Sequence, residues 1–168
     1  MNPVELLASI IREHSPENIW KDSPLAGYRQ LGNTNRGEIG EEFIRRYLRQ
    51  HGLKVGNGNR TSETDMLIET LRFEVKTASL GANGTFQFNH VRLDRAYEHL
   101  LCLGICPTKI VFNAWRKGEV AEHRAGTLVR MAEGQGVTFK LTKRLDEMLD
   151  IQRLPELIRL IQPEGQNG

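Results

Sequence analysis

Asp65-Met66-Leu67-Ile68-Glu69-Thr70-Leu71-Arg72-Phe73-Glu74-Val75-Lys76 is the stretch from which the rest of the chain can be read. Its apolar runs are too short for a typical helix, and Glu69-Thr70 is polar enough to turn between them, so the stretch predicts a β-hairpin. Along the second strand Phe73 and Val75 alternate with Glu74 and Lys76. Successive strand side chains point to opposite faces, so the acid and the lysine share one face while the apolar pair packs on the other. Folding back at Glu69-Thr70 brings Asp65 beside that polar face.

Two carboxylates and a lysine gathered in this way suit phosphodiester hydrolysis with a divalent metal. Mg²⁺ is a hard cation that takes one or two carboxylates, backbone carbonyl oxygen and several waters, leaving positions for phosphate oxygens. Asp65, Glu74 and the Val75 backbone carbonyl are the candidate metal ligands. Lys76 offsets charge that builds on the phosphate, and its service as a base depends on its pKa.

Upstream, residues 36–55 place Ile39, Phe43, Ile44, Tyr47 and Leu48 at helical spacing, with Gly52 set to end the helix. Downstream come Gly84-Thr85-Phe86-Gln87-Phe88-Asn89-His90-Val91-Arg92, an apolar run from His99 to Ile105, Pro107, and a strand from Lys109 to Trp115.

Asp65 with Glu74-Val75-Lys76 resembles the signature of the PD-(D/E)xK nuclease superfamily, which includes most type II restriction endonucleases, Holliday-junction resolvases and mismatch-nicking enzymes. Gly37-Glu38-Ile39-Gly40-Glu41 resembles the start of that superfamily's first helix, which puts a glutamate near the metal. Glu41, on the face of Ile44 and Leu48, is the residue this implies, with Glu38 in reserve. The order of elements resembles the superfamily over about residues 36–115.

The resemblance implies an α/β fold: a restriction-endonuclease-like mixed β-sheet core flanked by helices, with further helices at the N- and C-termini. It implies a Mg²⁺-dependent endonuclease acting on double-stranded DNA, with Mn²⁺ substituting, Asp65, Glu74, Lys76 and Glu41 as catalytic residues, and Glu41 as a further metal ligand. A type II restriction endonuclease is the favoured subclass, expected to be a homodimer on a palindromic site. A Holliday-junction resolvase is the nearest alternative, and a DNA-binding module that no longer cuts is a further one.

Gln87, Asn89, His90 and Arg92 are candidate DNA contacts, since amides pair with adenine and arginine with guanine in the major groove. Local backbone hydrogen bonding would account for them equally well. His90 reads as DNA-facing or structural before catalytic. Arg36, Arg60, Arg116 and Lys117 are candidate phosphate contacts.

The 168 residues, 39% of them hydrophobic, suffice for one domain spanning 1–168. A net charge of +2 does not announce a polyanionic partner, but its distribution is uneven. Residues 28–60 carry seven Lys/Arg against three acids, residues 83–130 seven against four, and residues 61–82 two against four. Basic flanks around an acidic centre fit a metal-dependent nuclease, which must hold both phosphates and carboxylates.

Cys102 and Cys106 read as reduced core thiols, and the scattered histidines exclude a recognisable zinc site. No phosphate-binding glycine loop for a nucleotide cofactor is present. The sequence carries no apolar run of membrane-spanning length and no signal-like start, so a cytoplasmic location is expected.

Residues 3–13 predict an amphipathic helix within an N-terminal arm, 1–35, able to reach DNA or a second subunit. Arg116-Lys117-Gly118-Glu119 reads as a turn, and Val137–Leu141 as a late strand. Leu145, Met148, Leu149, Leu154, Leu157, Ile158 and Ile161 form a stripe that predicts a C-terminal helix over 144–161, broken near Pro155, before a frayed tail at 162–168.

Overall fold

The computed structural model describes residues 2–15, 18–57, 66–131 and 136–163. The hairpin forms as expected, from β2 (Met66–Ile68) and β3 (Leu71–Ser79). Met66 pairs with Phe73 and Ile68 with Leu71, leaving Glu69-Thr70 as a two-residue turn. Glu69 adopts φ +52, and its carboxylate accepts a hydrogen bond from the Lys54 amide at 2.9 Å. The turn is thereby tied to the entrance of β1 (Val55–Asn57), which pairs with β2.

The larger sheet is mixed and runs β1-β2-β3-β5-β6-β9, with β5 at His99–Ile105, β6 at Ile110–Arg116 and β9 at Leu149–Asp150. Among the described strands only β3 and β5 are parallel neighbours. Parallel strands need a crossover, usually a helix. Here the crossover contains β4 (Thr85–Val91), which leaves to build a second, antiparallel sheet, β4-β8-β7, with β7 (Leu128–Met131) and β8 (Thr138–Arg144).

Each face of the large sheet is covered. On one face α2 (Asn33–Gln50) and α4 (Leu154–Ile161) bury Ile44, Leu48, Leu154 and Ile158 against Phe73, Val75, Leu101, Leu103 and Phe112. On the other, Phe86, Phe88 and Leu141 of the small sheet pack on Leu100, Cys102 and Val111. With both faces covered, the apolar run of β5 is buried almost throughout. Cys102 and Cys106 are buried free thiols, as read from the sequence.

α2 follows the expected stripe except at Ile39, which is 43% exposed. Gly52, at φ +80, follows its end. Gly40 is the closest point between α2 and β3: a Cβ there would lie 1.9 Å from Thr77 Oγ1 and 2.8 Å from Thr77 Cβ. Only glycine lets the helix backbone settle onto the strand at this depth.

Four expectations need correction. Residues 144–161 are not one helix. Leu145–Glu147 and Ile151–Arg153 are 3₁₀ turns, β9 between them pairs with Val111 and Phe112, and α4 begins only at Leu154. Pro155 starts α4 and breaks nothing, because a proline in the first helical turn gives up no helical hydrogen bond. Gln162 does not fray: it accepts a hydrogen bond from Thr70 Oγ1 at 3.0 Å and donates to the Ile158 carbonyl at 3.0 Å. The rest of the tail expected to fray, 164–168, lies outside the described residues.

Finally, Lys117–Gly118–Glu119 open a short helix, α3 (Lys117–Ala121), where a turn was expected. The N-terminal helix α1 (Pro3–His14) does form, with Asn2 and Glu5 closing a capping box, yet it buries no residue. Among the described residues no helix is long and apolar enough to cross a membrane.

Replacing Gly40 by alanine tests the depth of this contact. In an open helix the change stabilises by roughly 0.5–1 kcal/mol. Here overpacking against Thr77 should reverse the sign, costing about 1–3 kcal/mol. A urea midpoint that falls for Gly40→Ala, and partly recovers when Thr77→Ala is added, is the expected outcome.

Candidate active site

β3 outruns its partner on one side. β2 pairs only with Leu71–Phe73, so from Glu74 to Ser79 none of the described strands pairs with that edge. A groove of about 500 Å³ lies here. Its walls are Val75–Ser79 of β3, the N-terminal half of α2 with Asn33, Arg36, Gly37 and Glu41, and Thr85, Gln87, Asn89 and His90 of β4.

The close seating of Gly40 places its neighbour Glu41 in this wall. Glu41 is partly buried, whereas Glu38 is exposed. Glu42 turns outward and ion-pairs with Arg45 and Arg46, at 2.6 Å each. Hydrogen bonds from Arg46 and Arg45 hold its carboxyl below the usual range.

Lys76 lines the groove from β3, and its Nζ lies 3.4 Å from Glu74 Oε1. Strand alternation puts Glu74 and Lys76 on one face, as expected, but that face is no open polar surface. It is covered by the small sheet and the loop carrying Tyr97, and Glu74 is only 5% exposed. Removing a carboxylate from water costs several kcal/mol unless cations and hydrogen-bond donors compensate. Lys76 is one such compensation, and the nearby Glu74 charge adds to burial in pushing the Tyr97 hydroxyl pKa up.

Asp65 and Arg60 lie outside the described residues. Met66, which follows Asp65, pairs with Phe73, which precedes Glu74. Among the described residues no three of His, Cys, Asp and Glu cluster as a metal cage. Glu41, Glu74 and the Val75 carbonyl are nonetheless hard oxygen donors of the number that Mg²⁺ accepts alongside water.

Four of the expected DNA contacts line the same groove: Arg36, Gln87, Asn89 and His90. His90 sits in a β-bulge at φ +58, where the register with β8 shifts between Phe88 and Val91. Its Nδ1 lies 3.5 Å from Thr138 Oγ1.

The other three lie elsewhere. Arg92 forms a two-point pair with Asp94, at 2.9 and 2.7 Å. Lys117 donates to the Arg95 carbonyl and stands over the Tyr97 ring at 5.1 Å, so it is not the exposed phosphate contact expected. Arg116 is exposed, 4.0 Å from Glu119, and stands opposite His99 of β5, which is in register with Phe73 and away from the groove segment of β3.

Sequence reading missed Tyr28, Asn33, Ser79, Asn83 and Thr85 in the groove lining. Tyr28 and Asn33 come from the part of the N-terminal arm beyond its predicted helix, which carried no periodic signal. Arg36 stands over the Tyr28 ring at 5.8 Å. Burial pushes the Tyr28 pKa up to about 12.

No family model matches the sequence, and no curated protein matches it. Among solved structures the chain is similar to a bacterial homing endonuclease, with a TM-score of 0.43 and 14% identity over 68% of this chain and 77% of that one.

Tyr28 offers a test with a defined sign. Its buried hydroxyl makes no hydrogen bond among the described residues, so Tyr28→Phe should leave stability at pH 7 unchanged or slightly higher. A raised tyrosine pKa means that the unfolded chain ionises first, near pH 10, while the folded chain keeps its proton to about 12. Stability is therefore complete below pH 10 and falls above it, and Tyr28→Phe should lessen that fall in chemical denaturation measured from pH 9 to 12.

Proposed function

We propose that the chain is a Mg²⁺-dependent DNA endonuclease that hydrolyses phosphodiester bonds in duplex DNA, with a type II restriction endonuclease as the subclass. The observation that carries this reading is the sharing of one groove by Glu41 from α2 and Lys76 from β3, with Glu74 3.4 Å from Lys76. Polar β4 side chains complete the opposite wall.

In this reading Asp65, Glu74, Glu41 and the Val75 carbonyl hold the cation. A divalent ion bound there supplies Lewis acidity toward the phosphate and activates water at neutral pH. Lys76 has two duties. In the free protein it offsets the Glu74 charge, and with DNA bound its ammonium group sits beside the scissile phosphate to stabilise the charge that develops there. Glu41 lines the groove from the helix side, while Glu74 lies buried beside Lys76, which lines it from β3. Arg36, on the same helix as Glu41 and held by the Arg29 carbonyl and the Tyr28 ring, adds positive charge to the groove wall, and charge attraction of this kind positions DNA without reading its sequence.

Mg²⁺-dependent cleavage of plasmid and of a synthetic four-way junction tests this. Lys76→Ala and Glu74→Gln should each lower the rate by about 10²–10³-fold. Glu41→Gln should also lower it, whereas Glu42→Gln, on the outer helix face, should cut like the parent. Excess chelator should abolish cutting. Discrete plasmid fragments support the restriction subclass, junction-selective nicking moves the assignment to a resolvase, and DNA binding without cleavage of either substrate overturns the enzyme reading.

A further inference from the structure

Resting on the nuclease reading, we propose that β4 and β8, adjacent strands of the three-stranded sheet, form a ribbon whose outer face lies along the major groove of duplex DNA, with Gln87 and Asn89 toward base edges and Lys140 toward a phosphate. Sequence reading expected a strand at Val137–Leu141 but not its partner and did not single out Lys140; the pairing of β4 with β8 brings that residue into view.

The two strands present opposite chemistry on their two faces. Phe86 and Phe88 of β4 and Leu141 of β8 point into the core. The alternate residues Thr85, Gln87 and Asn89, with Lys140, Thr142 and Arg144, therefore point away from it. Gln87 stands opposite Thr142, and Thr85 opposite Arg144. Phe88 pairs with Leu141 and Val91 with Phe139, so the bulged pair Asn89-His90 faces the single residue Lys140. This outward row holds amides, hydroxyls and cations, and no carboxylate.

Its cations are not equivalent. Arg144 is engaged by Asp146 at 3.0 Å and Glu147 at 3.8 Å. Lys140 makes no ion pair among the described residues, which leaves its charge available to a polyanion. Beside it on β7 stands Val129, 58% exposed, which marks the apolar border of the row.

The amides choose between the DNA grooves. The major groove, about 12 Å wide, displays the adenine edge that Gln and Asn amides can pair with at two points, whereas the minor groove, about 6 Å wide, shows a degenerate pattern. Side chains two residues apart on a strand stand about 6.7 Å apart. At about 3.4 Å per base step, Gln87 and Asn89 would address base pairs two steps apart. Both also line the groove that holds Glu41 and Lys76, so a duplex seated on the ribbon passes the candidate active site.

The test is selection of a randomised duplex library with chelator present, for the parent chain and for Gln87→Ala, Asn89→Ala, Lys140→Ala and Lys140→Arg, beside Mg²⁺-dependent plasmid cleavage. Circular dichroism melts would check that these surface changes leave the fold intact. Gln87→Ala and Asn89→Ala should each relax base preference at one position, by roughly 5- to 100-fold, with the two positions two steps apart. Lys140→Ala should weaken all sequences alike and reduce the slope of log affinity against log salt by about 0.9, with Lys140→Arg restoring it. Unchanged base preference and salt slope, in a parent chain that still cuts DNA through Lys76, would overturn the ribbon alone. A parent chain that binds without base preference overturns it as well. If the parent neither binds nor cuts DNA, the nuclease reading falls and the ribbon falls with it.

Discussion

The missing side chain at residue 40 sets the distance between α2 and β3, and much of the molecule depends on that distance. Thr77 occupies the space a Cβ would need, so helix and strand meet backbone to side chain with nothing between them. Ile44 and Leu48, one and two turns further along α2, then reach Val75 and Phe73 and seal the helical side of the sheet. Glu41 is carried inward by the same contact. A packing constraint and a site constraint thus coincide in Gly40-Glu41, and a bulkier residue at 40 would disturb both.

The second constraint is the burial of Glu74. A lone charged strand residue belongs at the surface unless its surroundings supply compensation. Lys76 lies two residues along the same face, and the small sheet restricts water on that side. Electrostatic interactions strengthen as the effective dielectric falls, so the covering that makes Glu74 costly to bury also makes its interaction with a cation stronger than it would be on an open hairpin. Burial and chemistry are two results of one placement.

What the sequence made legible was local. The hairpin followed from short apolar runs and a polar turn, and α2 from its stripe and its terminal glycine. Glu41 followed from a helix start that resembles a known family's, and Glu41 lines the groove where Glu38 is exposed and Glu42 pairs with Arg45 and Arg46. What was illegible was long-range. Nothing in Thr138–Arg144 announces that it pairs with Thr85–Val91 some fifty residues earlier, so the covering of Glu74 could not be foreseen. The stripe from Leu145 to Ile161 misled because two 3₁₀ turns, a two-residue strand and one short helix space their apolar residues much as a single helix would. Lys117 looked exposed because its acceptor, the Arg95 carbonyl, lies twenty-two residues away.

The crossover through β4 also governs the order in which the molecule can be completed. β3 cannot gain its parallel neighbour until residues 99–105 exist, and β4 has no strand partner until residues 138–144 arrive. Non-local pairings of this kind form late, after the entropy of closing long loops has been met. On a ribosome the N-terminal part of a chain emerges first. α2 and the β2-β3 hairpin would therefore stand ready while the opposite wall of the groove still lacked its support, and the complete groove would be among the last features of a newly made chain to appear.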